Sequence, residues 1–503
     1  MIYDLSCLSS VALIKFPHEQ NYNFIQPLII KFLSPKKIAS MKTFKLAGMT
    51  LIILLLTQLT IFFESCQKEV SVPREVKAVE IATRTNNANV NALPHTRQYP
   101  ADVATAWFTL LTNVARTKPY TNPPTLRIFA YSGMALYESV VPGMPSYQSI
   151  YKYLTGNTIE FDNKKDYYWP ACANAAIARI AFRIMQNYPA PNLTPIQTFE
   201  STLNTSFQSQ VTPDQLQFSN EFGRYVADII YDWSRTDGTL NPDGSLAVCP
   251  AYVPSGNPGN WVPTPPGFLP PAGVCQGNLR TFIPNIVNTV LAPPPPVYST
   301  DPTSVFYKAA NEVYQRRNNI SPDEIRLVNN WRDIIGTNYN PLSHTLKITT
   351  DIIIKEKLNL EDAAVLFAKQ TIAASDAVGA VFNSKFHYAL IRPITYIQGV
   401  MGYTNWNSTF NTPQHPSYPD ELSATASTVT ILEDYFGTNY AFVDSTHKAL
   451  YGEWSYPSLN ALLADIVQLR VNSGTSFRFG GETGVIQGRA VGEMVDALPF
   501  KKD

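Results

Sequence analysis

The chain has 503 residues, which is enough for one large core or for two domains of ordinary size. Hydrophobic residues make up 45% of the chain and charged residues 16%, a composition that excludes an intrinsically disordered protein and indicates an ordered globular one. Because the formal net charge is zero, no excess of positive charge favours nucleic acid or an anionic membrane surface, and we expect no nucleic-acid partner.

The first predicted element is a targeting segment that begins at Met41. Two lysines, Lys42 and Lys45, precede an apolar run over residues 46–63, and Cys66 follows shortly after. A short basic region, an apolar core and a cysteine in this order predict a bacterial lipoprotein signal peptide with Cys66 as the lipidated residue. A transmembrane anchor is the alternative, since the 18 residues of the run are near the lower limit for a span.

This segment divides the N-terminal region into three predicted parts. Residues 1–40 precede a complete signal and are predicted to be an upstream over-translation, residues 41–66 are the signal peptide, and residues 67–100 are a polar tether with Asn and Thr runs. We therefore expect the protein in a cell envelope, attached by its N-terminal lipid to the outer membrane of a Gram-negative bacterium, and facing the periplasm or the exterior. The sequence does not identify a protein partner.

Helical periodicity dominates the rest of the chain, in an N-terminal half over residues 101–240 and a C-terminal half over residues 301–503. Between them, residues 241–300 are dense in Pro and Gly and predict a long surface loop without regular elements. Runs with strand alternation are scarce, so the predicted fold class is all-α. The predicted helices are 102–116, one through Leu126 and Tyr137, 172–187, 213–234, 303–317, 321–334, 363–386, 424–435 and one along Gly484 and Gly488.

The cysteines of the predicted mature domain suggest one cross-link. Cys249 and Cys275 bracket part of the Pro-rich loop, and an oxidising envelope compartment permits a disulfide, so we predict that they pair. No spacing of Cys and His residues indicates a structural metal, and no metal site is predicted. His344 and His447 are predicted to be ordinary loop or core histidines.

Three cations in the C-terminal half predict a pocket for a tetrahedral oxyanion: Lys385, Arg392 and Arg470. Guanidinium groups bind such an anion through paired charge-assisted hydrogen bonds, and an ammonium adds a compact point charge. Lys385 and Arg392 lie seven residues apart, which would place both on one face if their helix continued to Pro393.

The residues around these cations resemble a known superfamily, the vanadium-dependent haloperoxidases and type 2 phosphatidic acid phosphatases. The matching motifs are Lys385-x6-Arg392-Pro393, then Tyr418-Pro419-x-x-x-Ser423, then Arg470. The resemblance covers about residues 100–497. It implies a haloperoxidase-like (PAP2-type) helical bundle with a long Pro-rich loop, and it implies vanadate as the family's cofactor, bound by Lys385, Arg392 and Arg470.

The chain departs from the family at the residues that carry out the chemistry. Where the family has Ser-Gly-His after the proline of the second motif, this chain has Asp420, Glu421 and Leu422. Where the family has a histidine six residues after the distal arginine, this chain has Ser476. Neither family histidine is therefore intact, and removal of a general acid or base alone costs about 10²–10⁴ in rate. His415 is the candidate for a replacement.

Two of the replacing residues add negative charge where an anion would bind. At about 4 Å and an effective dielectric near 20, each carboxylate would repel an anionic ligand by roughly 4 kcal/mol. We therefore expect Asp420 or Glu421 to pair with one of the three cations, and we expect vanadate not to be bound here.

These residues predict a catalytically degenerate member of the family. Two alternatives stay open: an active haloperoxidase or phosphatase that uses a replacement residue such as His415, and a non-enzymatic surface-binding lipoprotein.

Overall fold

The computed structural model describes residues 93–117, 122–189, 191–333 and 339–502. The predicted over-translation, the signal peptide with Cys66 and most of the predicted tether lie outside the described residues. Residues 85–503 belong to one compact unit, so the two predicted halves and the Pro-rich loop between them share it.

Six α-helices form the N-terminal half, and several begin at residues that suit a helix start. Thr212, for example, accepts a hydrogen bond from the Gln215 amide and is followed by a proline at the first helical position. The helices are α1 (Asp102–Thr117), α2 (Asn122–Val140), α3 (Ile150–Thr155), α4 (Trp169–Met185), α5 (Thr194–Phe207) and α6 (Pro213–Ser234).

The C-terminal half is also helical, with one small antiparallel hairpin in which Phe442 pairs with Tyr456. Helix α7 (Ile286–Thr289) lies in the Pro-rich segment. The helices of the C-terminal half are α8 (Val305–Asn318), α9 (Pro322–Asn330), α10 (Pro341–Glu356), α11 (Leu360–Tyr388), α12 (Pro393–Gly399), α13 (Leu422–Phe436), α14 (Lys448–Tyr451), α15 (Leu459–Asn472) and α16 (Arg478–Asp496). The strands are β1 (Phe442–Asp444) and β2 (Trp454–Tyr456).

Helix α11 lies at the centre of the core. It contacts α2 from the N-terminal half and α13 and α16 from the C-terminal half, while α4 packs against both α2 and α6. By length and composition α11 is the one helix among the described residues that could cross a membrane, but 89% of its apolar window is buried inside the molecule. Its many alanines let the neighbouring helices approach closely.

The all-α prediction is confirmed, and most of the predicted helices are present with shifted ends. The start of α9 was predicted accurately because capping residues mark it. Ser321 and Glu324 form a reciprocal capping box there. That helix ends at Asn330, earlier than predicted, and Asp333 beyond it has a left-handed backbone with φ of 45°. The sequence analysis did not predict α5, α10 or α15.

The Pro-rich segment is ordered and packs against the C-terminal half. It contains only one short 3-10 helix and the four-residue helix α7, in keeping with its composition. The Trp261 amide donates to the Ala389 carbonyl at 2.6 Å, and the Ala272 amide donates to the Gln414 carbonyl at 2.7 Å. The predicted disulfide between Cys249 and Cys275 is present and links two parts of this segment.

Candidate oxyanion site

The three predicted cations come from three separate helix ends. Lys385 lies in the last turn of α11, Arg392 is the residue that precedes α12, and Arg470 lies in the last turn of α15. Helix α11 ends at Tyr388, and the next residue, Ala389, is left-handed with φ of 46°. Lys385 and Arg392 therefore do not share a face of one continuous helix, because the chain turns between them.

The Lys385 ammonium is buried and fully engaged by the loop that follows α12. It donates to the backbone carbonyls of Pro416 at 3.0 Å, Ser417 at 3.5 Å and Pro419 at 2.5 Å. Burial and the neighbouring Arg392 charge lower the pKa of Lys385 to about 7. In its charged form Lys385 has three protons, and these three carbonyls accept them, so none is left for an external anion.

The Arg392 guanidinium is held in the same way. Its Nε donates to the His415 carbonyl at 2.7 Å, one terminal nitrogen donates to the Thr475 carbonyl at 3.0 Å, and the other lies 2.9 Å from the His415 Nδ1. Burial lowers the pKa of Arg392 to about 10, although the carboxylates of Asp420 and Glu421 oppose that shift. This side chain binds two loops of the protein together.

Asp420 supplies the negative charge of the site. Its Oδ1 lies 3.6 Å from the Arg470 Nε and accepts a hydrogen bond from the Leu422 amide at 3.0 Å. The Ser476 hydroxyl donates a short hydrogen bond to its other carboxylate oxygen. Burial would raise the pKa of Asp420, but Arg470 and Lys385 outweigh it and hold the pKa below its usual value. A carboxylate thus contacts one of the three cations, as the sequence analysis expected.

Both ring nitrogens of His415 have partners. The Arg392 donor leaves Nδ1 as an acceptor, and Nε2 lies 3.2 Å from the Glu421 carboxylate. Burial lowers the pKa of His415. The Glu421 carboxylate raises it, but by less than burial lowers it. Burial would raise the pKa of Glu421, but His415 and Lys385 lower it.

The two residues at the family's histidine positions face different surroundings. Leu422 is buried in an apolar cluster with Ala426 and Val429, so it is part of the core. Ser476 is buried and bonded to Asp420. Ser423, the matching serine of the second motif, is buried, and its hydroxyl has no hydrogen-bond partner among the described residues.

A second buried polar cluster was not anticipated from the sequence. Asp333, His344 and His447 each offer one donor atom, and these atoms lie within 4.8 Å of one another. The residues are spread over more than a hundred positions, with no motif spacing that would connect them. Only the folded chain brings them together, which is why the two histidines read as ordinary core residues in the sequence.

Comparisons with known proteins place the chain among haloperoxidase-like folds. Residues 365–498, which include Lys385, Arg392 and Arg470, match the model of the VCPO second helical-bundle domain. No curated protein sequence matches the chain.

Two solved structures are similar over most of their length. A bacterial vanadium-dependent iodoperoxidase is 25% identical with a TM-score of 0.73, covering 80% of this chain and 98% of that one. A holo-type bacterial vanadium-dependent chloroperoxidase is 14% identical with a TM-score of 0.59, covering 76% of this chain and 94% of that one. At 14% identity, the similarity to the chloroperoxidase shows a shared fold only.

Proposed function

Because the chain belongs to the vanadium haloperoxidase and type 2 phosphatidic acid phosphatase superfamily, we propose that it keeps the oxyanion site of that superfamily in a closed, non-catalytic form. The predicted cations, Lys385, Arg392 and Arg470, then act as structural ties instead of ligands for an external anion.

The position of the Asp420 carboxylate carries this proposal. A carboxylate is itself an oxyanion. This one accepts hydrogen bonds from a hydroxyl and a backbone amide, and a guanidinium nitrogen lies 3.6 Å from it. These are the donor types that a bound vanadate or phosphate would need. With Asp420 in place, an entering anion would have to displace an internal one that is covalently part of the chain and loses little entropy on binding.

Vanadate does not fit the residues present. The two family histidines are replaced by Leu422 and Ser476, and the Ser476 hydroxyl is committed to Asp420. All three protons of Lys385 are used by loop carbonyls. The two carboxylates would also repel an anion, so we derive no reaction step through a bound vanadate.

Activity through His415 has little geometric support. A general base or a metal ligand needs one free ring nitrogen, whereas both nitrogens of His415 are engaged by Arg392 and Glu421. An active enzyme would have to break one of these contacts within a buried loop.

The test is a calorimetric titration of orthovanadate into the purified protein, with a peroxide-dependent halogenation assay on the same sample. We expect no binding and no turnover, because the internal carboxylate closes the site. A variant that restores the family residues, Asp420→Ser, Glu421→Gly, Leu422→His and Ser476→His, should gain vanadate binding.

The single substitution Glu482→Gln, on a neighbouring part of the chain outside the described contacts of the site, serves as the matched control and should bind no vanadate. Micromolar binding with turnover by the unaltered protein would overturn the proposal and direct attention to His415. Loss of folded structure in the restored variant would be visible by circular dichroism, and the result for the unaltered protein stands without it.

We further propose that the protein is anchored by a lipid on Cys66 and works in the cell envelope. The support is the order of Lys42 and Lys45, the apolar run over residues 46–63 and the following cysteine. A closed oxyanion site on a lipid-anchored protein favours a non-enzymatic binding role.

A further inference from the structure

Two histidines and one aspartate meet in a buried place built from three segments of the chain. The Nδ1 of His344 lies 3.0 Å from the Asp333 carboxylate, and the Nε2 of His447 lies 3.1 Å from the same carboxylate oxygen. Donors about 2.0–2.2 Å from one ion lie about 3.0–3.5 Å from their neighbours, so these two separations suit a shared ion. All three donor atoms lie within 4.8 Å of one another. All three residues are nearly inaccessible to solvent.

A second layer of contacts fixes the orientation of one of the histidines. The Nε2 of His344 lies 3.0 Å from the Asp444 carboxylate, which leaves Nδ1 to face Asp333 and His447. Asn330 donates to the same Asp444 oxygen at 2.9 Å, and Trp331 stacks on the His344 ring at 4.0 Å. A metal-binding histidine commonly donates its other ring N–H to a carboxylate in this way.

The charge of the cluster also calls for a cation. Asp333 and Asp444 place two carboxylates in the interior, and buried charges are costly unless opposite charge accompanies them. With both imidazoles neutral, one divalent ion would balance the two carboxylates. The competing arrangement is a proton on each imidazole, which balances the same charge without a metal.

We propose that Asp333, His344 and His447 bind one divalent transition-metal ion of the zinc type, with Asp444 as the residue that positions His344. Two imidazole nitrogens and one carboxylate are ligands that suit zinc or another first-row transition metal, whereas calcium and magnesium prefer oxygen alone. A fourth position remains for water or an exogenous ligand. This site is separate from the oxyanion site and does not rest on the function proposed for it.

The ion would join three segments of the fold. Asp333 follows α9, His344 lies in the first turns of α10, and His447 immediately precedes α14 after the β1 strand. Asp333 lies beyond the end of α9 and has a left-handed backbone. A metal here would fix the β1–β2 hairpin region to the α9–α10 connection.

The first experiment is elemental analysis of the purified full chain, prepared without chelator and without a histidine tag from cells grown with added zinc. We expect about one equivalent of a transition metal per chain. Removal of the metal with a chelator should lower the melting temperature, and re-addition of Zn²⁺ should restore it. Co²⁺ added to the stripped protein should give the visible absorption of a nitrogen- and oxygen-bound ion.

Two variants separate a metal site from a proton-balanced cluster. His447→Gln retains an amide N–H that can donate to Asp333 but removes the imidazole ligand, so bound metal should fall below about a tenth of an equivalent. Asp444→Asn should weaken metal binding about 10–100-fold, because the positioning carboxylate is lost. His387→Gln, at an exposed histidine near the end of α11, is the matched control and should keep its metal.

The proposal is overturned if the unaltered protein contains less than about a tenth of an equivalent and takes up neither Zn²⁺ nor Co²⁺ on titration. It is also overturned if His447→Gln keeps the full metal content while folded. The metal analysis of the unaltered protein decides the question even if a variant fails to fold.

Discussion

At the scale of single residues, the site shows how buried cations are accommodated by partners within the chain. Lys385 and Arg392 donate to backbone carbonyls, while Arg470 is close to the carboxylate of Asp420. A buried charge without such partners would cost several kcal/mol, roughly the penalty for an unpaired ion in the interior. Asp420 therefore supplies a charged partner inside the chain.

The stability of this arrangement depends on the charge of Asp420. We expect Asp420→Asn to lower the free energy of unfolding at neutral pH by about 1–3 kcal/mol, because Arg470 loses its charged partner. The pKa of Asp420 is lowered in the folded protein, so its contribution is present above the unfolded value and is lost as pH falls below about 4.

The difference between this variant and the unaltered protein should therefore shrink as the pH is lowered into that range. Urea unfolding at pH 7 and at a pH well below about 4 measures it. Asp166→Asn, at an exposed aspartate, is the control. A difference that stays constant with pH would mean that the Asp420 carboxylate is not charged in the folded state.

At the scale of elements, three glycines let α16 approach the helix that follows the second motif. A Cβ added at Gly484, Gly488 or Gly492 would lie 2.5, 2.1 or 2.8 Å from a backbone oxygen of Asp420, Ser423 or Ser427, respectively. The glycines are four residues apart and therefore share one face of the helix. This contact places the start of α16 beside Asp420, whose amide donates to the Gly480 carbonyl at 3.0 Å.

Gly488→Ala should separate these two helices. The added methyl group meets the Ser423 carbonyl in a packed interface, so we expect a loss of about 1–3 kcal/mol in the free energy of unfolding. Gly399→Ala is the control, since a Cβ there has no atom within 4 Å and alanine favours helix. Equal melting temperatures for the two variants would contradict the close approach of α13 and α16.

The elements differ in how far the sequence could predict them. Helix α6 was predicted at its observed bounds, because Thr212-Pro213 marks its start and its apolar residues keep one period. Helix α5 was missed, since only Ile196, Leu203 and Phe207 are buried along fourteen mostly polar residues. The hydrophobic periodicity of a helix is weak when few of its residues are buried.

The candidate site, too, could be predicted only in part from local sequence patterns. Lys385 and Arg392 stand in a short motif that the sequence displays, but the pairing of Asp420 with Arg470 crosses fifty residues and depends on how α15 and α13 pack. The cluster of His344 and His447 is wholly a product of long-range packing. Local patterns predict which residues carry chemistry, and tertiary structure decides which of them meet.

At the scale of the whole molecule, the proposed attachment to a membrane can be compared with the one helix of the described residues that could span it. Helix α11 has the length and composition of a membrane span, yet it is buried among α2, α13 and α16. A helix whose apolar surface is already covered gains nothing from insertion into lipid, because that surface is out of water in either place. Membrane attachment should therefore depend on the N-terminal region and on Cys66.

We expect Cys66→Ser to abolish incorporation of a labelled fatty acid, because the substitution removes the sulfur that would carry the lipid. A chain that lacks residues 1–84, the boundary of the compact unit, should purify from the aqueous fraction without detergent. Cys172→Ser, at a buried thiol in the core, is the control and should retain the label. If the shortened chain still required detergent, α11 or another part of the folded unit would have to contact the membrane, and the lipid could not be the sole attachment.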